Sequence, residues 1–97
     1  MADAAPGEPR MRDFVIANKR GLHARAAARF VQCVERFDAK VTVSKDQVSV
    51  DGASIMGLMM LAAIPGSMIR VSAEGQEAEA VLAALASLVE ARFGEQD

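Results

Sequence analysis

The chain has 97 residues, 52% of them hydrophobic and 25% charged, with 11 basic and 13 acidic side chains giving a formal net charge of -2. That length supports one hydrophobic core rather than two. The near-balanced charge, 4% aromatic content and lack of Trp and Tyr leave no electrostatic or stacking footprint for nucleic acid, and one His with one Cys falls short of a zinc ligand set, so neither metal nor other cofactor is expected.

Met1 to Arg10 carries Asp3, Pro6, Glu8 and Pro9 and no apolar segment, so it reads as a disordered extension rather than a signal peptide. Phe14 and Ile16 then alternate with Val15 and Ala17, after which Ala27, Phe30, Val31 and Val34 recur at helical spacing; a strand leads into an amphipathic helix. Cys33 on that helix is unpaired and reads as a small core hydrophobe.

The sole histidine lies at the mouth of this helix, in Arg20-Gly21-Leu22-His23-Ala24-Arg25. A lone His is commonly structural, but its neighbours here argue for anion chemistry. Gly21 frees the backbone for a close approach. A helix that starts after His23 leaves the amides of Ala24 and Arg25 without intrahelical acceptors, and peptide dipoles favour negative charge there by about 0.3–1 kcal/mol. The Arg25 guanidinium adds charge-assisted hydrogen bonds. A neutral imidazole with a free lone pair is the form that attacks phosphorus, and the positive helix end suits the phosphorylated product.

Val41 and Val43, then Val48 and Val50, alternate with polar residues on either side of Lys45-Asp46, the pattern of a hairpin. Ser54 is placed to cap a short helix through Met56, Met59 and Met60 that Pro65-Gly66 stops. The apolar stretch from Ile55 to Ile64 is far short of the roughly 20 residues that cross a bilayer, so no membrane association is expected. A short helix cannot turn all those side chains inward, and the exposed remainder marks a docking surface. Ile69, Val71 and Ala73 alternate with Arg70, Ser72 and Glu74 in a fourth strand that ends at Gly75. Glu77 to Phe93 reads as a closing helix with Val81, Leu85, Leu88 and Val89 on one stripe, acids near its start and Arg92 near its end. Strands this alternating meet water on one face, so the class is α+β, an open-faced sandwich. Periodicity equally allows a ferredoxin-like βαββαβ unit with an added helix, because it does not give strand order.

Two motifs go further. Gly21-Leu22-His23-Ala24-Arg25-Ala26-Ala27 resembles the active-site signature of the HPr phosphocarriers of the bacterial phosphoenolpyruvate-dependent phosphotransferase system, and Ser54-Ile55-Met56-Gly57-Leu58-Met59 resembles that family's regulatory-serine segment. The resemblance spans roughly Met11 to Phe93 and leaves residues 94–97 as a tail. It implies a four-stranded antiparallel sheet covered on one face by three helices, in the order βαββαβα. It also implies a cytoplasmic, monomeric relay rather than a stand-alone enzyme: His23 takes a phosphoryl group on Nδ1 from phosphorylated enzyme I and passes it to an enzyme IIA, with Arg25 assisting and the Ala24 and Arg25 amides holding phosphoryl oxygens. Ser54 becomes both a cap and a candidate for phosphorylation by HPr kinase/phosphorylase. Ile55, Met56 and Met59, with Arg20 at the rim, become the partner-docking surface; Arg25 and Arg29 are further candidates for that polar rim, Arg29 with little weight because charged residues on a helix face are commonly just solvated. The family usually has proline after the motif arginine, and this chain has Ala26; alanine forgoes preorganisation but remains the best helix former. The alanine-rich composition and Met59-Met60-Leu61-Ala62 lean toward the nitrogen-related branch. The rival from another class is a regulatory docking module whose phosphorylation state controls a metabolic or stringent-response enzyme; the pairing of His23 with Arg25 favours the relay.

Overall fold

A computed structural model describes residues 9–95. Eight of the ten residues expected to form the N-terminal extension lie outside that range, but Arg10 lies inside it and begins a strand. The elements are β1 (Arg10–Val15), α1 (Ala24–Val34), β2 (Lys40–Lys45), β3 (Val48–Asp51), α2 (Ile55–Met60), β4 (Met68–Glu74) and α3 (Ala78–Glu90), closed by a 3-10 turn at Arg92–Gly94. Strands run β1-β4-β2-β3 across one sheet and every neighbouring pair is antiparallel. This is the expected α+β sandwich, and the strand order that periodicity left open is now given.

Alternation decides which face is covered. Phe14 pairs with Ile69, Val43 with Val71 and with Val50, and Phe14, Val41, Val43, Ile69, Val71 and Ala73 are buried beneath the helices. The opposite face carries Asp13, Arg70, Ser44 and Ser49, where Arg70 bonds Asp13 across the strands at 2.9 Å and the two serine hydroxyls meet at 2.8 Å. α1 contributes Ala26, Ala27, Phe30, Val31, Cys33 and Val34 to the core, so Cys33 is the small hydrophobe that its position implied. α3 contributes Val81, Leu82, Leu85 and Val89. Burying each large side chain contributes about 1.5–3 kcal/mol, which holds the helices to the sheet.

Three boundaries differ from the sequence reading. The hairpin turns on Asp46 and Gln47, both at positive φ (51° and 70°), a primed turn built without the glycine that normally signals one. α2 ends at Met60, with Leu61 as its cap and Ala62 at φ 52°, well before Pro65-Gly66. α3 stops at Glu90 rather than Phe93, because Arg92 and Phe93 both take φ 56°. A left-handed non-glycine residue costs about 1–2 kcal/mol, and full burial of the Phe93 ring offsets a comparable amount. That reversal turns the chain end back toward α1.

Candidate functional site

The loop between β1 and α1 is tied down at its backbone. The Gly21 N–H donates to the Asn18 carbonyl at 3.2 Å, Leu22 N–H to the Ala63 carbonyl at 3.0 Å and His23 N–H to the Gly21 carbonyl at 2.9 Å. Gly21 sits at φ 67°, and a Cβ there would run into the Ala63 carbonyl oxygen; only glycine meets both demands without strain. The loop is thereby pinned to the segment that follows α2, and the two motifs of the sequence share one end of the fold.

His23 is the N-cap of α1, with φ -75° and ψ 178°. Its Nδ1 accepts from the Arg25 amide at 3.3 Å, so one of the two amides expected to face an anion is held by the histidine ring itself. The first helical hydrogen bond, from Ala27 N–H to the His23 carbonyl, is 2.8 Å. A cavity of about 340 Å³ opens beside the ring, lined by Lys19, Arg20, His23, Arg25, Arg29, Gly94 and Glu95. Four cationic side chains thus face one carboxylate beside a helix N-terminus, an electrostatic setting that favours phosphate.

Three residues that the sequence reading missed or set aside complete the site. Glu95, assigned to the tail, brings Oε2 against His23 Nε2. Asn18, fully buried, donates from Nδ2 to the Gly21 carbonyl at 2.7 Å and to Glu95 Oε1 at 3.1 Å. Arg29 is more than a solvated side chain: its Nη1 donates to the Phe93 carbonyl and so anchors the turn that delivers Glu95. Burial opposes charge on the Glu95 carboxyl, but hydrogen bonds from His23 and Asn18 and the positive charge of Arg20 outweigh it and hold the group below its ordinary range. Glu95 lies 72 positions from His23 and 77 from Asn18, separations that no local spacing reveals.

The second motif lies on α2. Ser54 is its N-cap, with Oγ accepting from the Gly57 amide at 2.9 Å. Leu58 and Leu61 are buried, whereas Ile55, Met56, Met59 and Met60 stay exposed together with Ile64, so the apolar run divides between core and surface as its length required. Ala26 is the third residue of α1 and is fully buried.

An open-faced α+β sandwich whose first helix is capped by a histidine in a cationic cavity is a small domain built to hold an anion at one helix end. A family model described as "PTS HPr component phosphorylation site" matches residues 11–91. The phosphocarrier protein HPr of Xylella fastidiosa is 42% identical over 83 residues, 86% of this chain and 93% of that protein. The phosphocarrier protein NPr of Shewanella violacea is 40% identical over 84 residues, 87% of this chain and 92% of that protein. The crystal structure of HPr-C-His from Thermoanaerobacter tengcongensis superposes with a TM-score of 0.86 at 42% identity, covering 91% of this chain and 99% of that one. The chain belongs to the HPr family of phosphocarriers of the phosphotransferase system. Among the described residues no helix is long and apolar enough to cross a membrane.

Proposed function

We propose that the chain is a cytoplasmic, monomeric phosphohistidine relay in which His23 accepts a phosphoryl group from phosphorylated enzyme I and hands it to an enzyme IIA. The observation that carries this reading is the cap: the only imidazole of the chain begins α1 inside a cavity with four cationic side chains. In an in-line transfer the Nδ1 lone pair forms the new N–P bond as the donor's bond to phosphorus breaks, and the departing electron pair stays with the donor. The protein's task is positioning and charge. The Arg25 guanidinium and the Ala24 and Arg25 amides receive the phosphoryl oxygens, the Arg25 amide exchanging its contact with Nδ1 for one with phosphate.

Partner recognition falls to the exposed side chains of Ile55, Met56 and Met59, with Arg20 at the rim, since an apolar patch beside a charged site suits docking. Phosphate on Ser54, added by an HPr kinase/phosphorylase where the cell has one, would put charge beside that patch and weaken enzyme I docking; a Ser54→Asp variant with unchanged transfer kinetics would refute this. The Met59-Met60-Leu61-Ala62 segment points to a nitrogen-type enzyme IIA as acceptor, and faster transfer to a sugar-type enzyme IIA reverses that assignment. The primary test is incubation with phosphoenolpyruvate and the cognate enzyme I, read by intact mass and acid lability. Wild type should gain one acid-labile phosphate and His23→Ala none. Equal labelling of His23→Ala would remove His23 from the role. No labelling of folded wild type would favour the regulatory docking module over the relay.

A further inference from the structure

The two ring contacts of His23, from opposite sides, agree about where its proton lies. An amide N–H can only donate, so Nδ1, which receives Arg25 N–H at 3.3 Å, must be the unprotonated nitrogen. A carboxylate can only accept, so Nε2, which meets Glu95 Oε2, must carry the hydrogen. We infer that Glu95 is a positioning residue that fixes the Nε2–H tautomer of His23 and thereby selects Nδ1 as the atom that is phosphorylated. The inference rests on the relay reading and deepens it.

The carboxylate is itself held in place, as that role requires. Asn18 Nδ2 bridges Glu95 Oε1 and the Gly21 carbonyl, linking the tail to the loop before His23. Phe93 buries its ring fully, and Arg29 bonds the Phe93 carbonyl. The His23 and Glu95 side chains are only 16% and 15% exposed, so water competes poorly for Nε2. Lys19, Arg20, Arg25 and Arg29, which line the same cavity, carry donors and no acceptor, so none of their side chains can replace Glu95 at an N–H.

The contact acts in both halves of the relay. As Nδ1 binds phosphorus and the donor's N–P bond breaks, the ring keeps its Nε2 proton and becomes an N-phosphoryl imidazolium whose positive charge faces Glu95. When the next acceptor attacks phosphorus, the N–P electron pair returns to Nδ1 and the ring leaves as neutral imidazole, still protonated at Nε2. No proton has to enter or leave in either step. A ring with the opposite tautomer would offer its lone pair at Nε2, where Glu95 blocks access.

The test uses full-length protein with 15N-labelled histidine, as wild type, Glu95→Ala and Glu95→Gln. Long-range 1H–15N correlations on the unphosphorylated protein report the tautomer, and 31P and 15N spectra after phosphorylation report which nitrogen carries phosphate. Wild type should show Nε2–H and phosphate on Nδ1. Glu95→Ala should give a tautomer mixture and a detectable Nε2-phosphate fraction. Glu95→Gln, whose amide oxygen still accepts from Nε2–H, should restore the tautomer and the Nδ1 selectivity while slowing phosphoryl acceptance severalfold, because the imidazolium charge that develops on the ring no longer faces a carboxylate. A Glu95→Ala protein that keeps a single Nε2–H tautomer and pure Nδ1-phosphate would overturn the inference. If wild type takes no phosphate at all, the relay reading falls, and the tautomer comparison still decides what Glu95 does.

Discussion

α1 and α2 both begin on a side-chain cap, yet the two caps are made for different ends. Ser54 closes α2 with a 2.9 Å bond to Gly57 N–H, and its neighbours Ile55, Met56 and Met59 are apolar and exposed. His23 closes α1 with a longer, 3.3 Å bond to Arg25 N–H, and its neighbours are Lys19, Arg20, Arg25 and Arg29. The hydroxyl is committed to its helix, whereas the imidazole spends its lone pair on a weak contact that phosphate can take over. A cap becomes reactive when its bond is long and its surroundings favour the charge that the reaction brings.

The largest break in this comparison is expected from removing charge at the His23 cap. Arg25→Ala should slow phosphoryl acceptance by about a hundredfold, the scale of losing one positioned donor to a transferring group, while Arg25→Lys keeps the charge and loses less. Single-turnover transfer from phosphorylated enzyme I measures both, and an unchanged rate for Arg25→Ala would mean that the remaining cations suffice. Next comes the loop that presents the cap. Gly21→Ala meets a positive φ and the Ala63 carbonyl at once, so we expect a loss of about 1–3 kcal/mol. At about 4–8 °C per kcal/mol for a domain of this size, calorimetry reads it directly, and a variant as stable as wild type would show that the loop can move away from Ala63.

The two caps also mark how much of the molecule could be read from its sequence. Ser54 was legible as a cap because capping is local, the cap and the amide it serves lying within three residues, and His23 was legible as the residue at the mouth of α1 because the apolar period that follows marks the helix; that its ring itself caps the Arg25 amide was not. Strand alternation likewise identified Val41, Val43, Ile69 and Val71 as core, since a period of two leaves one face to bury. The end of α3 was not legible. Arg92 and Phe93 continue a helical pattern, and only burial of the Phe93 ring across the fold repays their left-handed backbone. Everything downstream of that reversal was hidden with it: the anchoring role of Arg29, the bridge made by Asn18 and the carboxylate of Glu95. Propensity and spacing describe neighbours in sequence, and this half of the site is assembled from residues that become neighbours only after folding.

The comparison sharpens at the α2 cap. Ser54→Ala removes the acceptor of the Gly57 amide and should cost about 1 kcal/mol, visible in urea unfolding as a lower midpoint with an unchanged slope. Acceptance of phosphate on His23 should stay at the wild-type level, because α1 has its own cap; a parallel loss would mean that the segment after α2, which holds Leu22 through the Ala63 carbonyl, couples the two. A smaller change is expected at Ala26. As the third residue of α1 it precedes the first amide with an intrahelical partner, Ala27, so Ala26→Pro gives up no helical bond and should add about 0.4–1 kcal/mol by restricting the unfolded chain. A drop in stability would show that the buried site lacks room for the ring.

Acidification should give the most local effect, loosening the His23 end and leaving the Ser54 end untouched. Glu95 has an ordinary carboxyl value of 4.5 and is held below it in the fold; burial acts against charge, and the bonds from His23 and Asn18, with positive Arg20, prevail. A carboxyl lowered by folding binds its proton more readily once the contact is lost. Its stabilisation is therefore complete above the ordinary value and disappears as pH falls through the lowered one. The Glu95 carboxyl carbon, followed by NMR against pH, should titrate below a free glutamate, and the side-chain amide signals of Asn18 should shift with it. The Gly57 amide should hold its position over the same range, because a serine hydroxyl does not titrate. Glu95 titrating at or above the free value would show that the tail does not rest on the imidazole in solution, and the His23 cap would then stand alone like that of Ser54.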